Sequence, residues 1–126
     1  MPLCEITPCE LAWLAGLVEG EGYFTIQRYP GKDHWASPVF GLEMTDQDVV
    51  YRAQALTGVG SISSRTPRPR AKRSWTWQVR ARQDVLDLME VLYPYMGERR
   101  SERIDELLTL FGRPSLRGVA SHPQAA

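Results

Sequence analysis

Leu14-Ala15-Gly16-Leu17-Val18-Glu19-Gly20-Glu21-Gly22 starts with the periodicity of a helix and ends as a glycine-punctuated turn carrying two carboxylates. Just upstream, Thr7-Pro8-Cys9-Glu10 has the form of a capping box: Thr7 caps, Pro8 takes the first helical position, and Glu10 reaches back to the cap amide. From there Leu11, Leu14, Leu17 and Val18 recur at helical spacing and suit a core, while Ala12, Gly16 and Gly20 form a second stripe of small residues. An interior glycine gives up about 1 kcal/mol of helix propensity relative to alanine, so Gly16 needs a packing reason, and close approach of another helix supplies one. The strand-like run Tyr23-Phe24-Thr25-Ile26-Gln27 follows at once. Glu21 therefore sits at the negative end of a helix dipole, where a carboxylate is unfavourable without a nearby cation. That placement favours a divalent metal.

Working outward, Tyr23 to Tyr29 alternates, with Phe24 and Ile26 on one face and Tyr23, Thr25, Gln27 and Tyr29 on the other. Pro30-Gly31-Lys32-Asp33 reads as a turn, and a second strand is expected over about Ser37 to Thr45, with Phe40, Leu42 and Met44 opposite Val39, Gly41 and Glu43. A helix capped by Thr45 or Asp46 then covers Val49, Val50, Ala53 and Leu56 and stops at Gly58. Ser61 to Arg65 predicts a third strand and Lys72 to Arg82 a fourth, in which Trp75, Trp77, Val79 and Ala81 alternate with Ser74, Thr76, Gln78, Arg80 and Arg82. Asp84 opens a helix ended by Pro94, and a last helix runs from about Glu98 to Gly112. The order αββαββαα predicts a single α+β domain over residues 1–112, followed by a small, polar, mobile tail over 113–126.

The formal net charge of the 126 residues is zero, which alone argues mildly against a nucleic-acid binder. Its distribution argues the other way. No Asp or Glu occurs between Val49 and Gln83, whereas Arg52, Arg65, Arg68, Arg70, Lys72, Arg73, Arg80 and Arg82 all do. One strongly basic surface is the electrostatic footprint of phosphate contacts, although an arginine run with Pro67 and Pro69 interleaved also reads as a solvated loop. No apolar run is long enough for a membrane span, and no secretory signal pattern opens the chain, so a cytoplasmic location, in whatever cell hosts it, is expected. Cys4 and Cys9 read as free thiols, and with only His34 and His122 no zinc pattern arises.

The opening segment resembles the LAGLIDADG motif of homing endonucleases, matched here as LAGLVEGEG with five identical positions and conservative exchanges elsewhere. The flanking Leu11-Ala12-Trp13 and Tyr23-Phe24 and the order of elements from Thr7 to Phe111 extend the resemblance over most of the chain. It implies a curved four-stranded antiparallel sheet backed by helices, whose polar face straddles double-stranded DNA. The candidate readers on that face are Thr25, Gln27, Glu43, Ser74, Thr76, Gln78, Arg80 and Arg82. Arg65, Arg68, Arg70, Lys72 and Arg73 supply the arginine-rich contacts. Gln suits adenine, Arg guanine and Glu the cytosine amino group, while each of these residues also reads as a solvated strand position.

The resemblance further implies a magnesium-dependent double-strand nuclease of the kind associated with mobile introns and inteins. Glu21 maps onto the metal ligand, with the Gly20 carbonyl as companion, and Glu19 falls to structure. Asp46 follows the second strand where the family has a polar active-site residue, though an N-cap role explains it equally. Arg99 lies where a basic residue helps at the scissile phosphate, with Arg100 a close competitor. One motif per chain provides half of what cutting two strands requires. A homodimer through Ala12, Gly16 and Gly20, acting on a long near-palindromic site, is therefore expected. Two other readings stay open: a non-cleaving DNA-binding protein or intron-RNA maturase of the same fold, and a small interaction domain whose first helix is only core.

Overall fold

The computed structural model describes residues 5–66 and 68–117, with the side chains of 32–34 excepted. Helix α1 (Pro8–Glu21) leads into strands β1 (Gly22–Tyr29) and β2 (Lys32–Met44), helix α2 (Gln47–Thr57), strands β3 (Ser61–Arg65) and β4 (Ser74–Val79), helix α3 (Arg82–Leu92), a 3₁₀ turn (Tyr93–Tyr95) and helix α4 (Glu98–Leu110). The strands form one antiparallel four-stranded sheet in the order β1-β2-β4-β3. The α+β order is the expected one. No helix among the described residues is long and apolar enough to cross a membrane.

Local chemistry accounts for most boundaries. Glu10 N–H donates to Thr7 Oγ1 at 3.2 Å, and Thr7 N–H donates to Glu10 Oε1 at 3.0 Å, completing the capping box that starts α1. The β1–β2 connection is tighter than expected: Tyr29 pairs with Lys32 across Pro30 and Gly31, the latter at φ +74°, the pattern of a type II turn. β2 therefore begins at Lys32 rather than near Ser37. It runs through Pro38, which lies beyond the last β2–β4 pair, Phe40 with Val79, where no neighbouring strand on that side needs its missing N–H.

The core lies between the sheet and the helices. Leu14, Ala15 and Val18 of α1 pack with Phe24, Phe40, Leu42, Trp77 and Val79 of the sheet and with Val85, Leu88, Met89, Leu92, Ile104, Leu107 and Leu108 of the last two helices. Trp77 is its largest buried side chain, with the indole N–H donating to the Val59 carbonyl at 2.9 Å. Gly60 makes this possible. It stands at φ +81°, and a Cβ there would overlap the Gln78 carbonyl and the Trp77 indole nitrogen.

The fourth strand is shorter than its alternation suggests. It stops at Val79 because Ala81 is already the N-cap of α3, so Arg82 begins a helix instead of ending a strand. Cys9 is an exposed free thiol, and Cys4 lies outside the described residues.

The segment expected to be mobile from Arg113 onward is tethered as far as Arg117. Arg113 donates to Asp87, Glu90 and Gln83, while Asp105 accepts the Leu116 N–H at 2.7 Å and the Ser115 hydroxyl at 2.9 Å. Residues 118–126 lie outside the described ones. Desolvation pushes the Asp105 carboxyl up, but the hydrogen bonds from Leu116, Ser115 and Arg117 outweigh it and leave the group below its ordinary range. A carboxyl lowered in the folded state stabilises the docked segment above the ordinary aspartate range and loses that contribution as pH falls through the lowered value. Hydrogen exchange should accordingly show the Leu116 amide protected at neutral pH and released in acid, and released at all pH in Asp105→Ala. Equal protection in both proteins would show that Asp105 does not hold the segment.

Candidate active site and nucleic-acid interface

Gly22 pairs with Leu42, Met44 with Trp75, and Arg65 with Ser74. The end of α1, the β2–α2 junction and both ends of the arginine-rich loop therefore lie at one end of the sheet. Glu21 is the last residue of α1, exposed, and without a hydrogen bond or ion pair among the described residues. Asp46 stands at the same end as the N-cap of α2, its carbonyl accepting from Val49 and Val50 while its side chain makes no capping bond.

Four carbonyls at a helix C-terminus lack intrahelical donors. Here Gly22 N–H donates to the Val18 carbonyl and Arg100 Nε to the Glu19 carbonyl at 2.9 Å. Arg100 also binds the Glu19 carboxylate at 3.0 Å and the Gly22 carbonyl, and Gly97 N–H donates to Glu19 Oε1. Glu19 and Arg100 thus bolt the end of α1 to the start of α4, on either side of Glu21. Arg99, the other member of the pair, is exposed and carries no hydrogen bond or ion pair among the described residues. It borders a hollow of about 310 Å³ lined also by Tyr23, Phe24, Arg100 and Arg103. A phosphate-sized anion could be met there by the guanidinium that nothing else engages.

The sheet face away from the core carries Tyr23, Thr25 and Gln27 on β1, Glu43 on β2, Ser74, Thr76 and Gln78 on β4, and Ser61, Ser63 and Arg65 on β3, as the pairing register requires. Most of the expected readers share this face. Glu43, Ser74, Gln27, Gln78 and Arg80 are not independent solvated residues, because two networks join them. Arg65 donates to both oxygens of Glu43, at 3.2 and 3.3 Å, and Ser74 Oγ donates to Glu43 at 2.6 Å. These contacts, Arg65 foremost and then Ser74, hold the Glu43 carboxyl below its ordinary range, and Ser74 is buried in consequence. In the second network Arg80 donates to Gln27 and Gln78, and Gln78 donates to Tyr23.

Arg82 does not join them. Its guanidinium donates to the Ala36 carbonyl at 3.0 Å and lies over the Phe111 ring, so the strand position expected for it is corrected to a helix-start anchor. Arg73 donates to Ser64, whereas Arg68, Arg70 and Lys72 are exposed in the loop, their side chains without a hydrogen bond or ion pair among the described residues. Sequence reasoning passed over Ser61 and Ser63 as face residues, although their alternation with Ile62 was visible.

Ala12, Gly16 and Gly20 are exposed along α1, and a Cβ built on Gly16 or Gly20 would meet nothing within 4 Å. The two glycines of the stripe have no packing partner among the described residues. Among the described residues no cluster of three or more His, Cys, Asp or Glu could hold a metal ion.

Neither protein-family models nor curated proteins give a match to the sequence. Solved structures do match. The archaeal intron-encoded homing endonuclease I-Vdi141I complexed with DNA aligns with a TM-score of 0.65 at 17% identity, over 82% of this chain and 70% of that one. The group I intron-encoded I-CeuI with DNA gives 0.66 at 19%, over 84% and 56%. I-CvuI, bound to uncleaved DNA in the presence of Mg, gives 0.65 at 19%, over 87% and 71%. The fold is that of the LAGLIDADG homing endonucleases, and the chain spans between 56% and 71% of the length of these three proteins.

Proposed function

We propose that this chain is a site-specific homing endonuclease that acts as a homodimer and makes a double-strand break in DNA at a long, near-palindromic site. The observation that carries the reading is Glu21, an unpaired carboxylate at the C-terminal end of α1, at the end of the sheet where the arginine-bearing polar face and loop converge. A carboxylate at the negative end of a helix suits a cation, and Arg100 meets the neighbouring carbonyls and Glu19 rather than Glu21.

The residues fit a magnesium ion. Mg²⁺ takes one or two carboxylates and completes its shell with water and phosphate, and Glu21 with the Gly20 carbonyl provides that much from each chain. When bound, the ion would polarise the scissile phosphate and activate water. Arg99 meets the charge that grows on the phosphate, and Asp46 orients solvent at the same end of the sheet. The proton of the attacking water would leave through solvent. Arg65, Arg68, Arg70, Lys72 and Arg73 contact the DNA backbone, and the polar face enters the groove.

Two phosphates must be cut, and each chain brings one Glu21. Pairing α1 with α1 across Ala12, Gly16 and Gly20 brings two copies together, and the target then mirrors the two-fold axis. Because Gly16 has open space around it and glycine is a poor helix former, Gly16→Leu should keep or raise the melting temperature of the single chain yet prevent dimerisation and double-strand cleavage together. Light scattering and a plasmid-linearisation assay test this. A wild-type monomer that linearises plasmid would defeat the dimer, and DNA binding with no cleavage in any divalent ion would favour the non-cleaving reading.

A further inference from the structure

The second network on the polar face has a chemical polarity, and the proposal drawn from it rests on the DNA-binding reading above. A guanidinium has five N–H donors and no acceptor. The Gln27 atom 2.6 Å from Arg80 Nη1 and the Gln78 atom 3.1 Å from Arg80 Nη2 must therefore be amide oxygens. With its oxygen turned to Arg80, Gln78 points its NH₂ at the Tyr23 hydroxyl, 3.3 Å away. Tyr23 Oη accepts there, and its own O–H is left to donate outward.

The groups still open to a ligand are mostly donors, namely the remaining N–H groups of Arg80, the Gln27 NH₂, the second Gln78 N–H and the Tyr23 O–H, beside one lone pair left on each amide oxygen. Reading adenine with glutamine needs the amide oxygen to accept from N6 while the nitrogen donates to N7. Both oxygens are turned to Arg80 and already accept from it, so serving adenine would pull them from that bond. Guanine offers two acceptors, N7 and O6, on its major-groove edge, and a donor-rich cluster matches it.

Gly41 allows the cluster to exist. Tyr23, Gly41 and Gln78 stand side by side on β1, β2 and β4, and a Cβ on residue 41 would overlap the Tyr23 ring, which lies across it to reach Gln78. We propose that Tyr23, Gln27, Gln78 and Arg80 form one specificity-determining unit that reads guanine, with the two glutamines acting as supports for Arg80 rather than as adenine readers.

Selection over randomised duplex DNA, with affinities measured at several salt concentrations, tests this. The wild type should enrich a guanine in each half-site. Arg80→Ala should lose about 5- to 150-fold discrimination at that position, and Arg80→Lys should lose the discrimination while keeping the salt dependence. Gln27→Ala and Gly41→Ala should weaken the same guanine preference and leave no adenine preference missing. Adenine enrichment that vanishes in Gln27→Ala would overturn the unit. So would a loss in Arg80→Ala spread evenly over all sequences with a shallower salt slope, the mark of a phosphate contact. DNA binding without a guanine preference removes this inference and leaves the nuclease reading standing, whereas no salt-dependent DNA binding at all removes both.

Discussion

Glu21→Gln should abolish cleavage while DNA affinity stays within a few-fold of the wild type. The exchange keeps shape and removes the charge that would hold a cation. Losing even an outer partner of a metal ligand costs about 10–100-fold, so loss of the ligand charge itself should exceed that range. Stability should barely move, because Glu21 is exposed and makes no hydrogen bond or ion pair among the described residues, and surface changes of that kind stay within about 0.5 kcal/mol. Glu19→Gln supplies the contrast. It weakens the pairing with Arg100, and should lower the melting temperature while reducing cleavage only partly. Cleavage assays, gel shifts and melts on the same preparations decide between the two carboxylates. Normal cutting by Glu21→Gln would sink the assignment.

Trp77→Ala should be the most damaging truncation in the sheet, at about 3–5 kcal/mol. The side chain is fully buried, meets Phe40 edge-on at 4.9 Å between centroids, and its indole N–H satisfies the Val59 carbonyl. Removing it opens a cavity and orphans that carbonyl together. The melting temperature should fall by roughly 10–20 °C for a domain of this size. Arg80→Ala, just past the end of that strand and bonded to the polar face, should change it little. Melts with the reverse ranking would mean that the polar face, not Trp77, carries the sheet's stability.

Features whose causes are local in the chain were legible before the fold was known. Thr7 and Glu10 are three residues apart, and their reciprocal capping bonds form as their spacing demands. Ser61–Arg65 was bounded correctly by Gly60 on one side and the proline-arginine loop on the other. The start of α3 is not legible because its N-cap, Ala81, carries no polar group to mark it, whereas Asp84, already inside the first turn, has the side chain of a cap. Glu21 stood out because its oddity, a carboxylate at the wrong end of a helix, is local too. What could not be read was which charged groups meet. Arg65 lies 22 residues from Glu43, Arg80 lies 53 from Gln27, and Arg100 lies 81 from Glu19. Each pairing changes a role: Glu43 becomes an anchored acceptor, Gln27 a support, and Arg100 a brace that leaves Arg99 free.

The strand order also settles how the sheet ends. β1 and β3 are its borders, and an open border offers unpaired backbone groups to any other strand that passes, the usual route to aggregates. β3 is only five residues long, rich in serine and closed by Arg65. On β1, Arg100 and Arg103 of α4 donate to the carbonyls of Gly22 and Phe24, taking up acceptors that an incoming strand would use. The same arginines that brace the end of α1 therefore act as gatekeepers, and variants that lose them should clump through their sheets during expression before any loss of chemistry can be measured.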